Sequence, residues 1–200
     1  MHLKIVQTGE PVLRQRARDL TPEEIRSPEI QMLIRLMRET MRDAPGVGLA
    51  APQVGVGLRL AVIEDRADYL RGASPEDLAA RERAPVDFHV IINPKLTVED
   101  ATLAEFHEGC LSVSGFAALV ARPRGVRVEA LNEKGEPVTI SARGWYARIL
   151  QHEIDHLDGT LYIDRMEPRS YTSLENQRRF WVGKSVAEIR TALGLPERTP

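Results

Sequence analysis

The chain has 200 residues, 42% apolar and 28% charged, enough for one domain with a sizeable core and ordinary for a globular protein. Lys and Arg number 27 against 29 Asp and Glu, and the net charge of −2 removes the electrostatic basis for general nucleic-acid binding. A single cysteine excludes an internal disulfide and fits a reducing compartment, and no apolar run approaches the ~20 residues of a membrane-crossing helix.

The amino terminus, Met1-His2-Leu3-Lys4-Ile5-Val6, has neither the long apolar run of a signal peptide nor the Arg/Ser-rich character of an organelle leader. A cytoplasmic protein is the default expectation. Residues 1–20 read as an extended arm with a turn at Gly9-Glu10-Pro11. Ser27-Pro28-Glu29 supplies a capping serine and a proline at the first helical position. Ile30, Leu33, Ile34, Met37 and Met41 then repeat at helical spacing and predict a core-facing stripe, closed by Asp43-Ala44-Pro45-Gly46.

The loop Gly46-Val47-Gly48-Leu49-Ala50-Ala51-Pro52-Gln53-Val54-Gly55-Val56-Gly57 mimics a dinucleotide fingerprint, but the order of elements is wrong for one. That motif follows a strand and opens a helix, whereas here a helix precedes and the strand-like run 58–63 follows. Such a loop suits close approach of backbone to a ligand, with Gln53 offering the one amide side chain. Residues 65–88, rich in Asp, Glu and Arg, read as a solvated insertion with a short helix capped at Ser74. Val90-Ile91-Ile92-Asn93-Pro94 predicts a buried strand. Val126, Val128 and Ala130 alternate, turn near Lys134-Gly135 and return through Val138 and Ile140, which predicts a hairpin. Residues 171–193 predict a C-terminal helix carrying Arg178, Arg179, Lys184 and Arg190, a pattern that usually marks a solvated face. Short strands in series with an early and a late helix make a single α+β domain over 1–200, of antiparallel strands packed around the helix considered next.

That helix contains Gln151-His152-Glu153-Ile154-Asp155-His156-Leu157-Asp158-Gly159. Residues four apart share one helix face, so His152 and His156 can converge on one metal ion, and Glu153 can reach water beside it as a general base. Trp145, Ile149, His152 and His156 form one stripe, and Asp158-Gly159 supplies the stop. A catalytic site normally has three protein ligands and one open position. A third histidine at position 162 would complete one metalloprotease pattern, but Tyr162 stands there. Glu175 and the lone thiol, Cys110 in Glu108-Gly109-Cys110-Leu111-Ser112, are the remaining donors.

The three stretches at 46–53, 108–112 and 151–159, in this order, resemble the signature motifs of peptide deformylases. The resemblance runs from about Val6 to Met166 and includes Gly9-Glu10-Pro11-Val12-Leu13-Arg14 and Ile92-Asn93-Pro94. Ser112-Val113-Ser114-Gly115-Phe116 and Gly144-Trp145-Tyr146-Ala147-Arg148 look like the branch holding mitochondrial-type and some bacterial enzymes, and the missing leader favours a bacterial, cytoplasmic member. The resemblance implies that Cys110, His152 and His156 bind one divalent metal, ferrous iron in the cell with zinc, nickel or cobalt tolerated, and that His107 is not a ligand. It implies hydrolysis of the N-formyl group on the initiator methionine of new polypeptides. Glu153 would shuttle the proton, while Gln53 and the Leu111 N–H would stabilise the oxyanion. The peptide would lie between Val47, Gly48 and Gly109 near Arg122, with its methionine against Phe106, Trp145 and Ile149. Arg148 stands where some members are apolar. Asp155 reads equally as an outer support of the metal site or as an ion pair with an arginine. The basic C-terminal helix would dock on the ribosome near the exit of the nascent chain. Two other classes compete: a peptidase using His152, His156 and Glu175, and a binding protein that has lost its chemistry.

Overall fold

A computed structural model describes residues 2–197; Met1 and 198–200 lie outside the described residues. The elements, in order, are α1 (Pro22–Arg26), α2 (Pro28–Asp43), β1 (Gly48–Ala50), β2 (Leu60–Asp65), α3 (Pro75–Ala80), β3 (Val86–Cys110), β4 (Val113–Leu131), β5 (Pro137–Arg143), α4 (Gly144–Leu157), β6 (Thr172–Ser173), α5 (Leu174–Asn176) and α6 (Val186–Ala192). The strands form one antiparallel sheet in the order β1-β2-β3-β4-β5, and β6 adds to β4.

The two-residue period of a strand sends alternate side chains to opposite faces, and the sheet uses both. Ala61, Ile63 and Ile91 pack with Val126 and Val128 against Ala147, Leu150, Ile154 and Leu157 of α4. Leu60, Val62, Val90 and Ile92 face the other way, onto Ile30, Ile34, Met37 and Met41 of α2. Strand β2 is buried at all six positions; residues 60–63 accordingly read as an apolar run, and the buried Glu64 and Asp65 pair with Arg42 and Arg83. The stripe expected on α2 is core, with Met37 and Met41 fully buried. Ser27 caps α2 by accepting from the Ile30 N–H at 3.3 Å. A shorter helix, α1, was not apparent from apolar spacing; its signal is the capping box formed by Thr21 and Glu24.

Three expectations change. The hairpin read between 126 and 140 is part of a longer ladder, because β3 and β4 pair from Ile92–Leu131 out to Cys110–Val113, with four register shifts. The polar stretch 95–105 conceals this extension, since its outer half is largely solvent-facing and carries no apolar alternation. The 171–193 helix is broken: after α5 comes a π-helical turn at Gln177–Trp181, and Gly183 at φ +80° separates it from α6. Arg190 is buried rather than solvated, bonded to Glu105 at 2.8 Å and 3.0 Å, so three of the four expected cations remain on the surface. No described helix is long and apolar enough to cross a membrane.

The helix α4 ends at Leu157 with Asp158 as its C-cap, and Gly159 follows at φ +76°, the left-handed position at which glycine carries least strain. A Cβ there would fall 2.8 Å from the Arg14 carbonyl oxygen. The end of α4 is thereby set directly against the N-terminal arm, with the Ala17 N–H donating to the Leu157 carbonyl at 2.9 Å. Gly159→Ala is expected to lose about 2 kcal/mol or more from backbone strain and this contact. Urea denaturation would read it as a lower midpoint at unchanged slope.

Candidate metal centre and active site

Helix α4 carries His152 and His156 one turn apart on the face turned to the end of β3, where a register shift between Gly109 and Cys110 re-aims the strand. Cys110, His152 and His156 come together there, with one donor atom from each lying within 4.8 Å of the others. Cys110 Sγ stands 3.3 Å from His156 Nε2. A thiolate and an imidazole on one tetrahedral zinc-like ion stand about 3.5 Å apart, given bonds of ~2.3 Å and ~2.0 Å, so the spacing fits a shared ion. Glu175, the rival third donor, is exposed on α5 and is not part of this group.

His152 is oriented from behind. Its Nδ1 lies 3.1 Å from Glu108 Oε2, which leaves Nε2 for the metal, the usual carboxylate–histidine arrangement. Glu108 is itself buried and accepts from Arg122 Nε and Nη2 at 2.6 Å and 2.9 Å and from Arg148 Nη1 at 2.5 Å. Burial alone would raise the Glu108 carboxyl, but Arg122 and His152 outweigh it and hold it well below the usual carboxylate range. The network continues outward, with Asp155 accepting from Arg122 at 2.8 Å and from Arg165 at 2.7 Å and 2.8 Å. Both readings of Asp155 therefore meet: it is an ion pair and, through Arg122 and Glu108, an outer support of His152. Burial would also lower His152, yet the neighbouring Cys110 and Glu108 raise it well above its ordinary value. His156 is pushed the other way, by burial first and then by His152 and Arg122, and is kept neutral, the form that ligates.

Glu153 is buried beside this group and lines the cavity, with Oε2 lacking a hydrogen-bond partner among the described residues. Burial pushes its carboxyl up to about 7, against the pull of His152 and Arg122. Gln53 is fixed through Oε1, which accepts from the Ala50 N–H at 2.8 Å, so its amide nitrogen points at Cys110 Sγ at 3.4 Å and Ser112 Oγ at 3.3 Å. The glycine loop thus places the amide that the sequence singled out next to the donor group.

The cavity, of about 350 Å³, is walled by Val47, Gly48, Gly109, Leu111, Trp145 and Ile149, together with Arg148 and His107. Phe106 is not on the wall; it stands behind Trp145, edge to face at 6.3 Å. Arg122 is not beside the cavity either: two buried carboxylates claim its guanidinium, and it is 3% exposed. Arg148 reaches past the wall to Glu108 and to the carbonyls of Val120 and Ala104, at 2.9 Å and 2.6 Å. The insertion is more than solvated surface. The Arg81 guanidinium lies 4.9 Å from the centres of both Phe106 and Trp145, its carbonyl accepts from the Trp145 N–H at 2.8 Å, and Arg83 pairs with buried Asp65. Burial, then Arg81, pushes His107 down to about 4. Nothing in the spacing of a charge-rich run distinguishes these two arginines from solvated ones.

Gly48 is required by Glu153. A Cβ at this position would fall 2.5 Å from Glu153 Cδ and 2.8 Å from its Cγ, so Gly48→Ala must move the carboxylate. A small displacement of a reacting group costs about 100-fold in rate. Gly48→Ala is expected to lose at least that in turnover while metal content and circular dichroism stay as in the wild type.

A profile of the polypeptide deformylase family matches residues 2–171. The chain is 49% identical to the chloroplastic peptide deformylase 1A of Solanum lycopersicum, over 86% of its own length and 62% of that protein's, so it spans less than two thirds of this relative. It is 47% identical to peptide deformylase 3 of Streptomyces avermitilis over 96% of its length and 84% of the relative's. Among solved structures it resembles the class I type b peptide deformylase of Acinetobacter baumannii with Met-Ala-Ser bound, at TM-score 0.73 and 30% identity, covering 83% of this chain and 99% of that one. With the profile spanning most of the chain and the Cys–His–His group in place, the chain belongs to the polypeptide deformylase family.

Proposed function

We propose that the protein is a metal-dependent hydrolase that removes the N-formyl group from the initiator methionine of newly made polypeptides and releases formate. The observation that carries this is the Cys110–His152–His156 donor group beside a buried Glu153 oxygen without a hydrogen-bond partner among the described residues, at a cavity that Cys110, His152 and Glu153 line. Cys110, His152 and His156 would hold one divalent ion, ferrous iron in the cell and replaceable by zinc, nickel or cobalt, which would supply Lewis acidity toward water and the formyl carbonyl. Glu153 takes the proton of the attacking water and returns it to the departing amine. Gln53 Nε2 and the Leu111 N–H donate to the oxygen as negative charge grows on it, each worth about 3–4 kcal/mol in comparable sites.

Substrate placement follows from the free edge of the sheet. Among the described residues β1 pairs only with β2, so an extended peptide can add beside Val47 and Gly48 and reach Gly109 across the cavity. The methionine side chain enters between Trp145, Ile149 and the aliphatic stem of Arg148, whose charged end is held by Glu108. Phe106 supports this wall from behind. The Met-Ala-Ser complex of the Acinetobacter relative supports a peptide beginning with methionine. A bacterial cytoplasm is the compartment we favour, on the lone cysteine and on the Streptomyces match along 96% of the chain; the tomato relative makes an organelle the alternative. Arg178, Arg179 and Lys184 are the cations of the C-terminal segment left for contact near the ribosomal exit.

Selectivity should come from shape. Formyl presents only hydrogen beyond its carbonyl carbon, and an acetyl methyl would displace that carbon from Gln53, Leu111 and Glu153. The protein is expected to hydrolyse formyl-Met-Ala, to act about 100-fold more slowly on acetyl-Met-Ala, and to leave an internal Met-Ala bond intact. Glu153→Ala should lose at least ~10²-fold in turnover yet keep its metal, because it removes the proton carrier and no ligand. Release of formate, acetate and free amine from the three peptides reads all of this. Similar rates on the formyl and acetyl peptides, or internal cleavage, would move the protein to the general metallopeptidases.

A further inference from the structure

A second cavity, of about 510 Å³, lies against the other side of α4 and shares no lining residue with the first. Gln151, Ile154 and Asp155 of α4 line it, with Pro94 and Leu96 of β3 and Pro123 of β4. The N-terminal arm brings Arg16 to its edge, held by the bond from the Ala17 N–H to the Leu157 carbonyl. Five lining residues are cations and two are carboxylates. Three of the cations are answered. Arg122 and Arg165 share Asp155, and Arg59 pairs with Asp158 at 2.6 Å and with Asp19 at 3.4 Å. The other two are not. The Arg16 side chain is 79% exposed and stands 3.9 Å from Asp158, which already serves Arg59. Lys95 is exposed and makes no ion pair among the described residues. Glu129, opposite Lys95 in the β3–β4 ladder, lies 3.6 Å from Arg127. Even the Leu157 carbonyl, at the negative end of α4, is taken by the Ala17 N–H and by Arg59 at 3.2 Å. The rest of the wall is largely apolar, and Val98 on it keeps 44% of its surface open.

We infer that this cavity binds a small organic phosphate, with Arg16 and Lys95 holding the phosphate and Pro94, Leu96, Val98 and Pro123 covering its apolar body. The site stands apart from the formyl chemistry and does not depend on it. A concave volume of several hundred Å³ with an apolar wall and a few placed polar groups suits a small molecule. The surplus of positive charge selects an anion. A phosphate monoester carries close to two negative charges and three acceptor oxygens, so cations from two separate elements can each take a share. Arg16 can do so with two parallel N–H groups and Lys95 as a point charge. A carboxylate has one charge for the same two cations. Binding gives up little, because the only contact Arg16 must leave is the long one to Asp158. Inorganic phosphate would satisfy the cations but leave the apolar wall uncovered, which is why an organic body is assigned.

The test is isothermal titration of zinc-loaded protein with hexyl phosphate, inorganic phosphate and hexanol. Zinc is kept in place because Asp155 and Arg122 line this cavity and also support His152. Hexyl phosphate should bind about tenfold more tightly than inorganic phosphate, from burial of its alkyl chain, and hexanol far more weakly than either. The double variant Arg16→Gln/Lys95→Gln should weaken hexyl phosphate at least tenfold, since it removes two charged partners. Such a loss places the ligand at these two residues rather than on the zinc ion. The double variant Arg178→Gln/Arg179→Gln removes the same charge elsewhere and should stay within about twofold of wild type. Arg16 and Lys95 are exposed, so their replacement does not threaten the fold. Equal losses in the two double variants, or none in the first, would overturn the site. So would hexanol or inorganic phosphate binding as tightly as hexyl phosphate, or hexyl phosphate failing to bind.

Discussion

A carboxylate removed from water must be paid for by partners, and the buried Glu108 constrains much of what surrounds it. An unpaired charge in that position would cost several kcal/mol. Arg122 answers it bidentately, Arg148 adds a second cation, and His152 takes the remaining direction through Nδ1. Each partner is then committed. Arg122 is drawn away from the cavity, Arg148 is pinned across the wall, and His152 is turned so that its other nitrogen meets Cys110 and His156. Asp155 and Arg165 balance the charge on the outer side. The metal donors are aligned by a network whose inner members, Glu108, Arg122 and Arg148, are buried and paired.

The sheet makes that network possible. Side chains on its two faces bury α2 on one side and α4 on the other, which fixes α4 along its length. Gly159 sets where the helix ends, and the shift between Gly109 and Cys110 sets where the strand delivers its thiol. Glu153 fits only because Gly48 has no side chain. Rigid elements carry the donors, while the loop and the C-terminal segment shape the cavity around them.

What was legible in the sequence is what local spacing encodes. The stripe of α2, its serine cap, the alternation of 126–140 and the histidine pair on α4 all follow from period and capping, and all appear in the fold. The thiol and Gln53 were legible as chemistry and through the family resemblance, and the structure brings them to the histidines. What was hidden depends on distant partners. Arg122 was expected at the peptide because its position matches, yet two carboxylates far from it in sequence hold it in the interior. Arg81, Arg83 and Arg190 sit in runs that look solvated, and only their long-range contacts with Trp145, Asp65 and Glu105 draw them in, the first two to partial burial and Arg190 to full burial. The break in the C-terminal helix turns on one glycine inside an otherwise helical composition.

The central claim is that Cys110 completes the donor set with His152 and His156. X-ray absorption spectroscopy at the metal edge, on protein purified without oxygen, addresses it most directly. One sulfur at about 2.3 Å with two imidazole nitrogens on each metal is the predicted first shell. A first shell of nitrogen and oxygen only, with no sulfur, would contradict the account.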